Sequence, residues 1–220
     1  MVDTSIFTDP KQFFEGRELD LKIPIGIVVA IVLVRIVTAV INAALIAPQV
    51  SRQVSGPAAG GDAAAAGAIG GLIGGVFAVV LAIVAPLIAW VLFTAIFYGL
   101  SEVLGDDPTG EFTDVLAVTA WGFIPRLITL VVVLLLAILS AILLGVLQVD
   151  VTIASFIGLL GPVVGVLMTF LSAYIWGNGL AVVRGITPKQ GYICTLPVVL
   201  FGLLFTVLGI LSEILSIGLL

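Results

Sequence analysis

Residues 105–126 read GDDPTGEFTDVLAVTAWGFIPR, an acidic turn and a broken helical pattern set between two long apolar runs. Gly105, Asp106, Asp107, Pro108, Thr109 and Gly110 are turn chemistry, since Gly, Pro and Asp each favour a tight reversal. Glu111 and Asp114 then fall in the first turn of a helix, where carboxylates complement the helix dipole. Residues 115–147 count 33, roughly 50 Å as a helix, too long for one perpendicular crossing of a ~30 Å hydrocarbon layer. The charge-free part starts after Arg126. The spacing therefore predicts an interfacial or partly embedded segment over 112–121, bent at Trp121–Gly122 by Pro125, and a span over about 124–147. Arg126 is expected at headgroup level, snorkelling or paired with Asp114 or Glu102. Asp106, Asp107, Glu111, Asp114, Trp121, Pro125 and Arg126 form the candidate partner-facing set.

Outward from this stretch the chain is lipid-like. Hydrophobic residues make up 61% of its 220 residues, charged residues 10%, and mean hydropathy is +1.37. A soluble domain carries about a quarter charged residues, so most of this chain belongs in a bilayer. The fold class is all-α, a polytopic helical bundle with five transmembrane helices and short interfacial helices. The expected spans cover about 23–47, 68–100, 124–147, 152–183 and 192–217. Residues 1–22 are a cytoplasmic N-terminal interfacial segment, leaving 23–220 as one membrane domain. That lead offers Asp9 as a helix N-cap with Pro10 at the first helical position, and Phe13 and Phe14 to dip into the membrane surface. No basic region precedes an apolar core at the start, so the first run reads as an uncleaved anchor.

Two spans carry further signals. Arg35 lies near the centre of the first, where an arginine costs about 2.5–3.5 kcal/mol on insertion scales and should face helices or water. Thr38 and Asn42 follow at three and seven residues, on the same helical stripe. Arg35, Thr38 and Asn42 are thus a candidate intramembrane polar site. The bland alternative is a structural bond to helix-end carbonyls or to an acid such as Glu102. In the second span Gly67, Gly71, Gly75, Ala78, Ala82, Ala85 and Ala89 recur at three- and four-residue steps, a packing stripe, and Pro86 should kink it. The fourth carries Gly158, Gly161 and Gly165 as another small-residue set. Arg52 is the one cation in the Pro-, Gly- and Ala-rich loop over 48–66, residues 148–150 form a very short loop, and Glu213 near the end of the fifth span is expected at the far interface.

Cations in short loops set orientation. Lys11, Arg17, Lys22, Arg126, Arg184 and Lys189 fall on the N-terminal side and Arg52 alone on the other. The N-terminus is predicted in the cytoplasm, the C-terminus outside, and the cell membrane is the expected location.

The composition also narrows function. A net charge of -5 with no basic block excludes holding a nucleic-acid backbone. The chain has no histidine and one cysteine, Cys194. That removes Ser-His dyads, His-Glu-x-x-His zinc sites and thiolate metal sites, and no Gly-x-Ser-x-Gly elbow or phosphate-cradling loop is present. No catalytic residue, metal site or cofactor is expected. Two functions stay open. One is a non-enzymatic scaffold or adaptor presenting the central loop to partners. The other is a transporter, channel or lipid-handling protein using the polar stripe of the first span.

Three passages, DPKQFF near the start, LGDDPTGEFTDVLAVTAWGFIPRL in the middle and NGLAVVRGITPKQGY before the last span, resemble in that order the Yip-type membrane domain (Ypt-interacting proteins, YIPF in animals). The resemblance covers almost the whole chain and implies five membrane helices with a cytoplasmic N-terminus. Eukaryotic members act in Golgi and endoplasmic-reticulum trafficking and bind Rab-type GTPases. This chain departs from them. It has only about 22 residues before its first apolar run, and GDDPTG stands where an Asp-Leu-Tyr-Gly-Pro signature would. A GTPase partner is therefore not carried over, and the chain resembles a short prokaryotic or archaeal member. The partners it implies are the lipid bilayer and other membrane proteins or further copies of itself.

Overall fold

The computed structural model describes residues 4–15, 17, 19–41, 44, 61–147 and 160–218; at 61–75, 145 and 213–218 it describes the backbone alone. The expectations for Asn42, Arg52, Gly158 and the 148–150 loop lie outside the described residues, as do those for the side chains of Gly67, Gly71, Gly75 and Glu213.

Among the described residues the elements are all helical. They are α1 (Ser5–Thr8), α2 (Pro10–Glu15), α3 (Lys22–Ile41), α4 (Gly61–Leu104), α5 (Phe112–Trp121), α6 (Ile124–Gly145), α7 (Leu160–Arg184) and α8 (Pro188–Gly218). Five helical stretches, α3, α4 from Val76, α5 with α6, α7 and α8, are long and apolar enough to cross a membrane. The chain is a multi-pass membrane protein. Successive spans alternate in direction, so the α4 C-terminus, the 105–111 turn and the α7–α8 turn gather on the face where α3 begins.

Helix starts follow local chemistry. Asp9 accepts the Gln12 N–H at 3.1 Å and starts α2. Asp20 accepts the Lys22 N–H at 3.0 Å and pairs with Lys22 Nζ at 2.9 Å, which starts α3 and holds the Asp20 carboxyl below the ordinary carboxylate range. The helix α4 begins at Gly61, inside the stretch expected to be a loop. Its opening DAAAA explains this, because alanine is the strongest helix former.

The lead segment departs from its expected place. Phe13 and Phe14 are buried within the protein instead of dipping into lipid. Phe13 packs edge-on to Trp121 at 4.9 Å. Phe14 lies on Gly179 of α7, where a Cβ would come within 2.8 Å of its ring. A bare glycine backbone leaves a flat seat for the ring. The lead therefore docks on the bundle.

The second departure is α5. The sequence predicts an interfacial or partly embedded segment here, and Val115, Ala117, Val118, Thr119 and Ala120 are all fully buried. It packs against α3, α4 and α7. Two indoles hold it. Trp90 of α4 donates to Leu116 O at 2.8 Å, and Trp176 of α7 donates to Thr119 O at 2.9 Å. The second bond has a local cause. Phe123 N–H turns to Ala120 O at 3.0 Å, so Thr119 O loses its regular donor four residues on. The break is at Gly122–Phe123, with Pro125 in the first turn of α6. Gly122 is required there, since a Cβ would lie 1.9 Å from Trp176 Nε1. The core gathers around these rings, with Phe97, Phe123 and Trp176 buried together and ring centroids 5.3 and 5.7 Å apart along that chain.

Candidate functional site

The central stretch is built around a residue that stands outside it, Arg184, at the end of α7. Its side chain is fully buried. Nε donates to Ser101 Oγ at 2.9 Å, and Nη1 donates to Thr109 O at 2.5 Å and Gly110 O at 2.6 Å. Nη2 pairs with Glu102, and the guanidinium lies 4.4 Å from the centre of the Tyr98 ring. Thr109 N–H returns a bond to Arg184 O at 3.0 Å. The planar fork with five donors suits this task, and an ammonium group would not match it. Gly110 permits the approach, with φ of 73° and a Cβ position only 2.2 Å from Val183 O. Gln190 Nε2 adds a bond to Leu104 O at 2.6 Å. Residues 105–111 are thereby fastened to the ends of α4 and α7.

This arrangement divides the candidate partner-facing set. Asp106 and Asp107 are exposed and form no ion pair among the described residues. Glu111 is exposed at the α5 N-cap, and its N–H donates to Asp114 Oδ2 at 2.8 Å in a capping box. Asp114 is thus taken up by its own helix start. Trp121 is half-buried under Phe13, Pro125 is buried, and Arg126 points away from the turn altogether. The expected pairing of Arg126 with Asp114 or Glu102 is corrected: Glu102 belongs to Arg184. For the same reason Glu102 is not the partner of Arg35.

Arg126 instead shares its surroundings with Arg35. Both line a cavity of about 640 Å³ and an adjoining one of about 220 Å³. After the break at Gly122–Phe123, α6 packs beside α3, and Arg126 near its start is an exposed residue that lines both cavities. Arg35 Nε is buried with no hydrogen-bond partner among the described residues. Among the described residues neither arginine forms an ion pair and no acid lines either cavity, and the two charges repel each other. Thr38 donates to Val34 O at 2.8 Å on its own helix and lines neither cavity. The polar stripe of α3 therefore contributes Arg35, and its second cation comes from α6. Thr129, Thr169 and Ser172 supply hydroxyls to the larger cavity. Thr129 and Thr169 donate to backbone carbonyls one turn back, at 3.3 and 2.8 Å, which leaves their oxygens free to accept.

Sequence reasoning missed the Arg184 network. The signal was present: Arg184 and Glu102 end parallel runs on the same side, each the first charge after a long apolar stretch. The juxtaposition of Arg35 and Arg126 had a weaker signal, because it depends on the direction α6 takes after the break.

A family model, the Yip1 domain, matches residues 4–209. No curated protein and no solved structure matches the chain.

Proposed function

The chain belongs to the Yip1 domain family, and on that footing we propose that it works without catalysis, as a membrane scaffold or adaptor that presents its 105–111 turn to partners on the cytoplasmic face. The observation that carries this reading is the fastening of the turn by Arg184, with Asp106 and Asp107 left exposed and unpaired among the described residues. A loop held by its backbone at both ends presents its carboxylates in one arrangement, which lowers the ordering cost of binding. The absence of histidine and the single buried cysteine support a non-enzymatic role. The cation distribution supports a cytoplasmic N-terminus and turn, and membrane organisation or trafficking is the setting that suits such a protein.

Charge reversal tests it. Asp106→Lys with Asp107→Lys should leave thermal stability within about 0.5 kcal/mol, as for exposed sites free of structural bonds, while cross-linking to native membrane partners falls away. If alanine at these positions unfolds the protein, the turn is structural and the scaffold reading fails. Asp106→Cys in sealed cells should react with an impermeant thiol reagent only after permeabilisation.

A second reading, passage of a solute through the bundle as a transporter or channel, draws on the unpaired Arg35 Nε in the cavity. Flux across vesicles reconstituted with the protein, lost in Arg35→Leu, is its expected signature. No flux over a panel of ions and small solutes would remove it.

A further inference from the structure

We propose that Arg35 and Arg126 hold the phosphate of an anionic phospholipid, whose acyl chain lies in the cleft between α6 and α8. The first argument is charge. Two guanidinium groups share one membrane cavity, and among the described residues no acid lines it. Such groups in a bilayer interior are costly unless paired, and Arg35 Nε is a buried donor without an acceptor among the described residues. On α8 the lining reaches Gly209, and the backbone of Glu213, whose side chain lies outside the described residues, stands four residues further on, roughly 6 Å along the helix. The site calls for an anion with several acceptor oxygens, and Arg recognises phosphate through paired N–H bonds. Thr129, Thr169 and Ser172 line the cavity as well, where their hydroxyl oxygens meet a headgroup.

The second argument is shape. The cavity of about 640 Å³ holds far more than a phosphate group, since even a water takes only about 30 Å³ of liquid. On α7 its lining runs from Gly161 to Trp176, about 22 Å of helix, against a half-bilayer of roughly 15 Å. The space is elongated, and its other lining residues are mainly apolar, Val133, Phe201 and Phe205 among them, with Thr206 beside Phe205.

The third argument is access. Both α6 and α8 pack on α7, and among the described residues neither packs comparably on the other. Phe201 and Phe205 line the cleft and are 61% and 57% exposed. The cleft is therefore open along its α8 side, as entry from the bilayer requires. Two cations and a mainly apolar trough with exposed rings along α8 match an amphiphile. A water-soluble anion has no use for the trough. This proposal stands apart from the scaffold reading and uses none of its residues except Arg126.

The test is binding of phosphatidylglycerol, phosphatidylcholine and inorganic phosphate to the purified full chain in detergent, read by native mass spectrometry and by thermal shift. The expected result is retained phosphatidylglycerol that raises the melting temperature, with a smaller effect of phosphatidylcholine and none of phosphate. Arg35→Gln with Arg126→Gln should weaken phosphatidylglycerol binding at least tenfold. Gly202→Leu supplies a variant that keeps both arginines. Nothing lies within 4 Å of a Cβ at Gly202, and this residue lines the cavity. The added side chain should fill the trough and weaken binding by a similar factor, while leucine in place of glycine favours the helix. Undiminished phosphatidylglycerol binding in Gly202→Leu overturns the proposal, and so does undiminished binding in the folded double variant. Stabilisation by inorganic phosphate equal to that by phosphatidylglycerol also overturns it, in favour of an aqueous anion site.

Discussion

Arg184 illustrates what one buried cation can do when four of its five donors are used. Its fork reaches a hydroxyl, two carbonyls and a carboxylate, and its face meets Tyr98. Removing one partner of a buried pair costs about 3–5 kcal/mol when the other charge is stranded. Glu102 is 46% exposed and keeps water, so Arg184→Leu should fall at the low end, near ~3 kcal/mol. Most of that loss comes from the carbonyls of Thr109 and Gly110 left without donors. Arg184→Lys should recover only part of it, because an ammonium cannot span both carbonyls and Ser101. Thermal unfolding in detergent measures both. A loss under 1 kcal/mol in Arg184→Leu would mean that the turn holds itself. Arg184 was legible as a charge at a span end. Its role was not, because Glu102 had three cations to choose from and only the packing of α4 on α7 selects one.

At the scale of elements, the short helix α5 is where sequence and structure part. Its composition, mildly apolar and bounded by acids, fits an interface, and the capping box of Glu111 and Asp114 starts it as local rules require. Its burial depends on Trp90 and Trp176, which come from two other helices. Trp176→Phe keeps most of the ring and removes the indole N–H, leaving Thr119 O unsatisfied in the core. The expected cost is about 1–3 kcal/mol. Gly122→Ala drives a methyl into the same indole, with a comparable cost of about 1–3 kcal/mol from overpacking. The two sites touch, so their effects should not add. Melting temperatures of the two single variants and the double variant check this. A strictly additive double variant would show that Gly122 is needed for some reason other than the Trp176 ring.

For the molecule as a whole, the unpaired arginines mean that stability and function pull apart. Arg35 is a charge the bundle pays to keep. Arg35→Leu should therefore leave thermal stability unchanged or raise it, by up to about 3 kcal/mol on insertion scales. Marked destabilisation would make Arg35 a structural brace. The native Cys194 offers a readout for such comparisons, since it is the sole cysteine and fully buried within α8. Maleimide labelling of Cys194 should be slow in the folded protein and fast in denaturing detergent, so its rate tracks opening of the α7–α8 hairpin. Rapid labelling under native conditions would contradict the packing of α8 on α7.

The number of membrane helices, the acidic turn and the family resemblance were all in the amino-acid sequence. Apolar runs of sufficient length, and Pro and Gly at their ends, act locally and do not depend on which helix neighbours which. The tertiary structure alone decided where the charges went. Glu102, Asp114, Arg35, Arg126 and Arg184 are all visible as charged residues near apolar runs. Which of them pair is set by helix directions after a break at Gly122–Phe123 and by the close packing of α4, α5 and α7. Those are contacts between residues far apart in the chain, and hydropathy, a property of neighbours, holds no information about them.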